Sequence, residues 1–123
     1  MSRRRPVLVV DDDPDLCALL RRALEHSGYD VVTAENGMDG IRQFELNRPA
    51  MLIVDLMMPK LDGEEFLRML GSTRPPVLLL TASDRREEAA ARYNVDASLG
   101  KPFDLADIRS IVAQHCGEHR RTE

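Results

Sequence analysis

The 123-residue sequence is short of several things at once. It has only two cysteines, Cys17 and Cys116. They are too few for a disulfide framework, so a reducing, cytoplasmic setting is the simpler reading. It has no apolar run approaching the roughly 20 residues that cross a bilayer, which excludes a transmembrane helix. The apolar run behind Arg3, Arg4 and Arg5 is only Val7 to Val10, too short for a signal peptide. Residues 1–6 are therefore expected to be a disordered, solvated basic leader. It has no basic excess: 17 Lys and Arg face 21 Asp and Glu, for a net charge of −4. Direct nucleic-acid binding calls for the opposite bias. Internal repeats, linkers and low-complexity tracts are missing, and no Gly-x-Gly-x-x-Gly follows the first apolar run, which argues against a dinucleotide-binding domain.

What is present suits one globular domain. Apolar residues make up 43% and charged residues 31% of the chain. A domain of this length can bury about two-thirds of its unfolded surface without staples.

Apolar runs alternate with helical patterns. Val7-Leu8-Val9-Val10 is continuous and mostly β-branched, as in a strand covered on both faces. Asp13-Pro14 opens a helix as cap and first residue, carrying Leu16, Leu19, Leu20, Ala23 and Leu24 at helical spacing as far as Gly28. Tyr29 to Ala34 reads as a second strand and Asn36-Gly37 as a turn. Met38 to Asn47 is a second helix, with Gly40 a local cost of about 1 kcal/mol against Ala. Met51 to Val54 is a third strand that ends at Asp55. Gly63 to Leu70 is a third helix, Val77 to Leu80 a fourth strand and Asp84 to Tyr93 a fourth helix, with Asp84 and Glu87 spaced as a cap and its partner. Ala97 to Leu99 is a fifth strand and Asp104 to Cys116 a fifth helix. Residues 117–123 read as a polar C-terminal tail. Strict β–α alternation predicts a parallel sheet with helices on both faces.

Open sheets of this kind bind ligands beyond the carboxyl ends of their strands. Asp11 and Asp12 lie beyond the first strand, Asp55 beyond the third, Thr81 beyond the fourth and Lys101 beyond the fifth. All five therefore belong to one edge. Neighbouring first and third strands would gather three carboxylates, whose mutual repulsion a divalent cation relieves. All-oxygen ligands favour Mg²⁺, Mn²⁺ or Ca²⁺ over zinc, and Mg²⁺ leaves positions for phosphate oxygens. Three carboxylates, one Mg²⁺ and the Lys101 ammonium sum to zero charge. Thr81 can donate to an incoming phosphoryl group and Lys101 can neutralise one of its oxygens. Phosphoryl transfer asks mainly for positioning and charge stabilisation, and a carboxylate is an accepted nucleophile for it. Asp55, at a strand end before a loop, is the candidate acceptor.

These residues carry a resemblance. Val-Val-Asp11-Asp12-Asp13-Pro14, Asp55-Leu-Met-Met-Pro59-Lys-Leu-Asp62-Gly63, Thr81-Ala82 and Lys101-Pro102-Phe103 resemble the receiver domain of two-component response regulators, over about Val7 to Val112. The resemblance implies a flavodoxin-like (βα)5 fold of strand order 2-1-3-4-5, occupying residues 7–116. It implies that Asp55 takes a phosphoryl group from a sensor histidine kinase or phosphotransfer protein. It implies Mg²⁺, with Mn²⁺ as a substitute, on Asp11, Asp12, Asp55 and the main-chain carbonyl of Met57. It implies a cis bond before Pro102 that aims Lys101. It also implies a partner or dimer face made by the fourth helix, fifth strand and fifth helix. Such a module is not an enzyme, since it promotes only its own phosphorylation and dephosphorylation. One position departs from the family. An aromatic residue usually stands three before the lysine, where this chain has Ser98. In the family that ring turns inward behind the threonine, and Ser98 has no ring to turn. The fourth helix, with Ala89, Ala90 and Ala91, has little apolar bulk to anchor it, which suits a two-state element.

Bland readings stand beside these. Asp13, before Pro14, is better a helix cap than a metal ligand. Asp62-Gly63 is better a turn and helix start. His115 and His119 have metal-ligand spacing on a frayed end, where exposure is the simpler reading. Two rivals remain. A phosphohydrolase of the haloacid dehalogenase type would use Asp11 and Asp13, but Pro14 stands where that family has a Gly-containing loop. A receiver that signals by contact without phosphorylation is kept in play by Ser98.

Overall fold

Four-residue apolar segments form the centre of the molecule, because only a strand covered on both sides tolerates an uninterrupted apolar run. The computed structural model describes residues 5–117. β1 (Val7–Val10), β2 (Val31–Ala34), β3 (Met51–Val54), β4 (Val77–Thr81) and β5 (Ala97–Gly100) form one sheet of order β2-β1-β3-β4-β5. Every pairing is parallel, with Val10 level with Val54 and Thr81 level with Gly100. This is the predicted flavodoxin-like order.

The connecting helices are α1 (Pro14–His26), α2 (Gly37–Asn47), α3 (Gly63–Leu70), α4 (Arg86–Arg92) and α5 (Leu105–Cys116), with a 3₁₀ turn at Gly71–Thr73 after α3. Residues on alternate sides of the strands build two cores. Val7, Val9, Ile53, Leu78 and Leu80 meet Leu20 and Leu24 of α1 and Ile108 and Val112 of α5. Leu8, Val10, Leu52, Val54 and Val77 meet Phe66 and Leu67 of α3. A small third cluster, Leu56, Leu79 and Ala89, lies under α4.

Local chemistry starts most of these helices. Asp13 accepts from the Asp15 and Leu16 amides above Pro14. Asp62 and Glu65 form a reciprocal capping box on α3. Asp104 caps α5.

Several boundaries differ from expectation, and the fourth and fifth strands each run one residue further, to Thr81 and Gly100. The second strand starts at Val31 instead of Tyr29, because Tyr29 closes the α1 turn: its amide donates to the Leu24 carbonyl and its hydroxyl to the Gly117 carbonyl at 2.6 Å. Asn36-Gly37 is no separate turn, since Asn36 caps α2 through the Asp39 amide and Gly37 is its first residue. Asp84 does not cap the fourth helix. α4 starts at Arg86, behind Arg85 and without a side-chain cap, and Ser83 holds the turn before it, its hydroxyl accepting from the Arg85 amide.

At the chain ends, Arg5 donates to the carbonyls of Arg48 and Pro49, and the Pro6 carbonyl accepts from Ala50. The expected leader is thus joined to the domain at its last two residues. The rest of that segment, residues 1–4, and residues 118–123 of the expected tail, with His119, lie outside the described residues. Cys17 is buried and Cys116 half-buried, and both are free thiols.

Candidate functional site: an acidic pocket at the carboxyl edge of the sheet

The register of the central strands makes the site. Because Val10 and Val54 are level, the next residues, Asp11 and Asp55, leave adjacent strands side by side. Their backbones are held by the ladder itself, with the Asp55 amide donating to the Val10 carbonyl at 3.0 Å and the Asp11 amide to Ala34 at 3.0 Å. Both residues are nearly closed off, at 3% and 5% exposure, while Asp12 is exposed. One oxygen from each of Asp11, Asp12 and Asp55 lies within 4.8 Å of the others. These are the three carboxylates expected to meet.

Each buried carboxylate is oriented by the chain that follows it. Asp11 Oδ1 accepts from the Asp13 amide at 2.9 Å, and Asp55 Oδ1 from the Met57 amide at 3.1 Å. That fixes the loop bearing Met57, whose side chain is exposed. The remaining oxygens face Lys101, whose Nζ lies 2.8 Å from Asp11 Oδ2 and 3.0 Å from Asp55 Oδ2. Lys101 is the residue after β5, and its amide bonds the Thr81 carbonyl at 3.2 Å. The Lys101–Pro102 peptide is cis, as the resemblance implied. Thr81 is fully buried, and its Oγ1 accepts from the Ser83 amide at 3.2 Å. The five expected residues therefore share one edge, with direct bonds joining Lys101 to Asp11 and Asp55.

The electrostatics follow from crowding. Burial pushes the Asp11 carboxyl above its usual range, and the Lys101 ammonium and the Asp13 amide only partly offset it. Burial alone would lower Lys101, but its hydrogen bonds to Asp11 and Asp55 outweigh that and raise it. An ammonium bridging two buried carboxylates marks a place where positive charge is wanted. The donors are all hard oxygens, a set that suits Mg²⁺ or Mn²⁺ and not zinc. A cleft of about 590 Å³ lies elsewhere, at the opposite sheet edge between Arg74, Pro76 and Tyr93. It contains none of these groups.

Two features near the site were not read from the sequence. Glu64, at the start of α3, accepts from Tyr93 Oη at 3.1 Å and pairs with Arg85 at 3.1 Å, tying α3 to both ends of α4. Arg86 crosses from α4 to β5 and donates to Ser98 Oγ at 3.0 Å. Neither has a periodic or motif signal; only the small polar Ser98 in a mostly apolar strand hinted at the second.

The molecule is thus a five-stranded parallel sheet of order β2-β1-β3-β4-β5 with an acid cluster and a lysine at its carboxyl edge. The chain belongs to the response regulator receiver domain family, whose model matches residues 7–113. It is 35% identical over 112 residues to the alkaline phosphatase synthesis transcriptional regulatory protein PhoP of Bacillus subtilis, covering 88% of this chain and 47% of that one. It is 42% identical over 106 residues to the response regulator MprA of Mycobacterium sp. (strain KMS), covering 83% of this chain and 46% of that one. The chain thus spans about half the length of the curated relatives it matches. Among solved structures it is similar to the chemotaxis protein CheY4 of Vibrio cholerae, with a TM-score of 0.81 at 26% identity over 92% of this chain and 99% of that one. It is also similar to the response regulator TrrA of Thermotoga maritima in complex with Mg²⁺-BeF, with a TM-score of 0.80 at 28% identity over 89% and 97%. Residues 7–113 are thus a two-component receiver domain, a signalling module. Among the described residues no helix is long and apolar enough to cross a membrane.

Proposed function

We propose that Asp55 is the phosphoacceptor and that Asp11, Asp12, Asp55 and the Met57 main-chain carbonyl hold Mg²⁺, or Mn²⁺ in its place. The observation that carries this reading is the approach of three carboxylates to within 4.8 Å of one another, two of them buried. A bound Mg²⁺ supplies charge neutralisation for the acids and for the incoming phosphoryl oxygens. The chain's own residues do the rest. An oxygen of Asp55 attacks phosphorus on a phosphohistidine. The P–O bond forms as the P–N bond breaks, and its electron pair returns to the imidazole. The Met57 amide keeps the other Asp55 oxygen turned away from the attack. Thr81 donates its hydroxyl proton to a phosphoryl oxygen, and Lys101 neutralises another.

The donor is a sensor histidine kinase or a phosphotransfer protein. The unit that does this is residues 7–116, acting in the cytoplasm, with the α4–β5–α5 face as its partner or dimer surface. We assign it no nucleic-acid contact of its own, given a net charge of −4; the transcriptional role in the name of the Bacillus protein belongs to that longer chain. Asp13 is engaged as the α1 cap, so it is poorly placed as the acid of a phosphohydrolase.

Acetyl phosphate with and without Mg²⁺, followed by intact-mass spectrometry, tests the proposal. One added phosphoryl group that requires the cation and disappears in Asp55→Asn is the expected result. Modification that survives that substitution moves the acceptor elsewhere.

A further inference from the structure

We infer that Arg86 and Ser98 form a polar latch between α4 and β5 that opens when Asp55 carries a phosphoryl group. The inference rests on the phosphoacceptor reading above and concerns how that event reaches the surface.

The latch begins at the site. Thr81 pairs with Gly100 and Leu79 with Ser98, so these four residues lie on one face of the sheet. Leu79 packs on Leu56 and Ala89, which identifies that face as the one under α4. Arg86, the first residue of α4, lies across it. Its guanidinium donates to Ser98 Oγ at 3.0 Å and to no carboxylate among the described residues. A Cβ placed on Gly100 would sit 3.6 Å from Arg86 Nε, so the side chain rests on the glycine like a ring on a flat surface. A half-buried guanidinium whose partner is a neutral hydroxyl is weakly held for a charged group.

A continuous set of bonds joins this contact to Thr81. Thr81 Oγ1 accepts from the Ser83 amide, the Ser83 hydroxyl accepts from the Arg85 amide, and the Ser83 carbonyl accepts from the Arg86 amide at 3.3 Å. Among the described residues the Thr81 hydroxyl is used only as an acceptor, so its proton is available to a phosphoryl oxygen. Turning that hydroxyl toward Asp55 weakens its bond to Ser83, and Ser83 holds the turn that leads into α4. Little apolar surface holds the helix against this, since Ala89, packed on Leu56 and Leu79, is its one buried residue. The first turn of α4 shifts, and the Arg86–Ser98 bond is the contact that breaks. A polar pair thus does what a rotating aromatic ring would do at position 98.

Amide hydrogen exchange over residues 85–92 reads the latch in the 123-residue chain, with beryllofluoride and Mg²⁺ as the phosphoryl mimic and the ¹⁹F spectrum reporting its binding. In the parent protein, bound beryllofluoride should speed exchange there by about tenfold. Ser98→Ala should show that faster exchange without any ligand and change less than about twofold on adding it. Ser98→Thr, which keeps the hydroxyl, should behave like the parent, and α1 should be unaffected in all three. Parent-like protection in ligand-free Ser98→Ala overturns the latch, as does unchanged exchange in a parent protein whose ¹⁹F spectrum shows the adduct. Absence of the adduct removes the phosphoacceptor reading itself, and the latch with it.

Discussion

The two flanks of the sheet are held by different forces. Around β1 and β3 every strand residue is buried, and α1 seals that side with Leu16, Cys17, Leu20, Ala23 and Leu24. Around β5 every strand residue is only half-buried, and α4 buries Ala89 alone. What α4 lacks in apolar contact is replaced by Glu64, Arg85, Arg86, Arg92 and Tyr93. Apolar burial is non-directional and tolerates no small shift without leaving a void, whereas exposed ion pairs are individually weak and can exchange partners. The acids of the proposed phosphorylation site sit on the first kind of scaffold, and the proposed latch sits on the second.

Cutting into the apolar flank should have the largest effect. Leu24→Ala removes a fully buried side chain from the α1 core and should cost about 2–5 kcal/mol, read as a lower urea midpoint with unchanged slope. A loss below about 1 kcal/mol would erase the contrast drawn above.

Next comes the junction between the flanks. A Cβ on Gly63 would collide with the Asp55 carbonyl oxygen and stand 2.7 Å from Leu56 Cα, both backbone atoms that cannot swing aside. Gly63→Ala should therefore lose about 1–3 kcal/mol and slow phosphorylation by acetyl phosphate, because the β3–α3 loop moves with Asp55. Normal phosphorylation in that variant would show that the loop can shift independently of the acceptor.

On the polar flank, Glu64→Gln should cost about 1 kcal/mol or less, since the partners Arg85 and Arg92 are half exposed to solvent. Its effect should be local, with faster amide exchange in α4 and none in α1.

The smallest effect is a rate on one thiol. Burial, aided by the Asp11 and Asp13 charges, pushes the Cys17 thiol up to about 11, so at neutral pH it is protonated as well as covered. In chelator, iodoacetamide should label Cys116 well before Cys17, and Cys17 labelling should keep rising with pH until about 11. The sign for stability follows. The unfolded thiol, near 9.0, loses its proton first, so this group withdraws stability as pH climbs from about 9 toward 11. Equal labelling of both thiols at neutral pH would mean that α1 opens as readily as the last turn of α5, where Cys116 is half-buried.

The amino-acid sequence by itself determined the alternation of strands and helices, the cap at Asp13-Pro14, and the set Asp11, Asp12, Asp55, Thr81 and Lys101 at one edge. These were legible because a twice-covered strand must be an unbroken apolar run, and the residue that ends the run is then at the sheet's rim. Strand order, and with it the approach of Asp55 to Asp11, came from the resemblance and was realised by backbone pairing. Only the tertiary structure decided that Tyr29 leaves the second strand to reach Gly117, that Ser83 and not Asp84 holds the turn into α4, that Glu64 holds both ends of that helix, and that Arg86 lies on Ser98. Each joins polar side chains that are distant in sequence or compete for the same amide. Such contacts leave no period in the chain, because their energy depends on distance and direction in space and not on spacing along it.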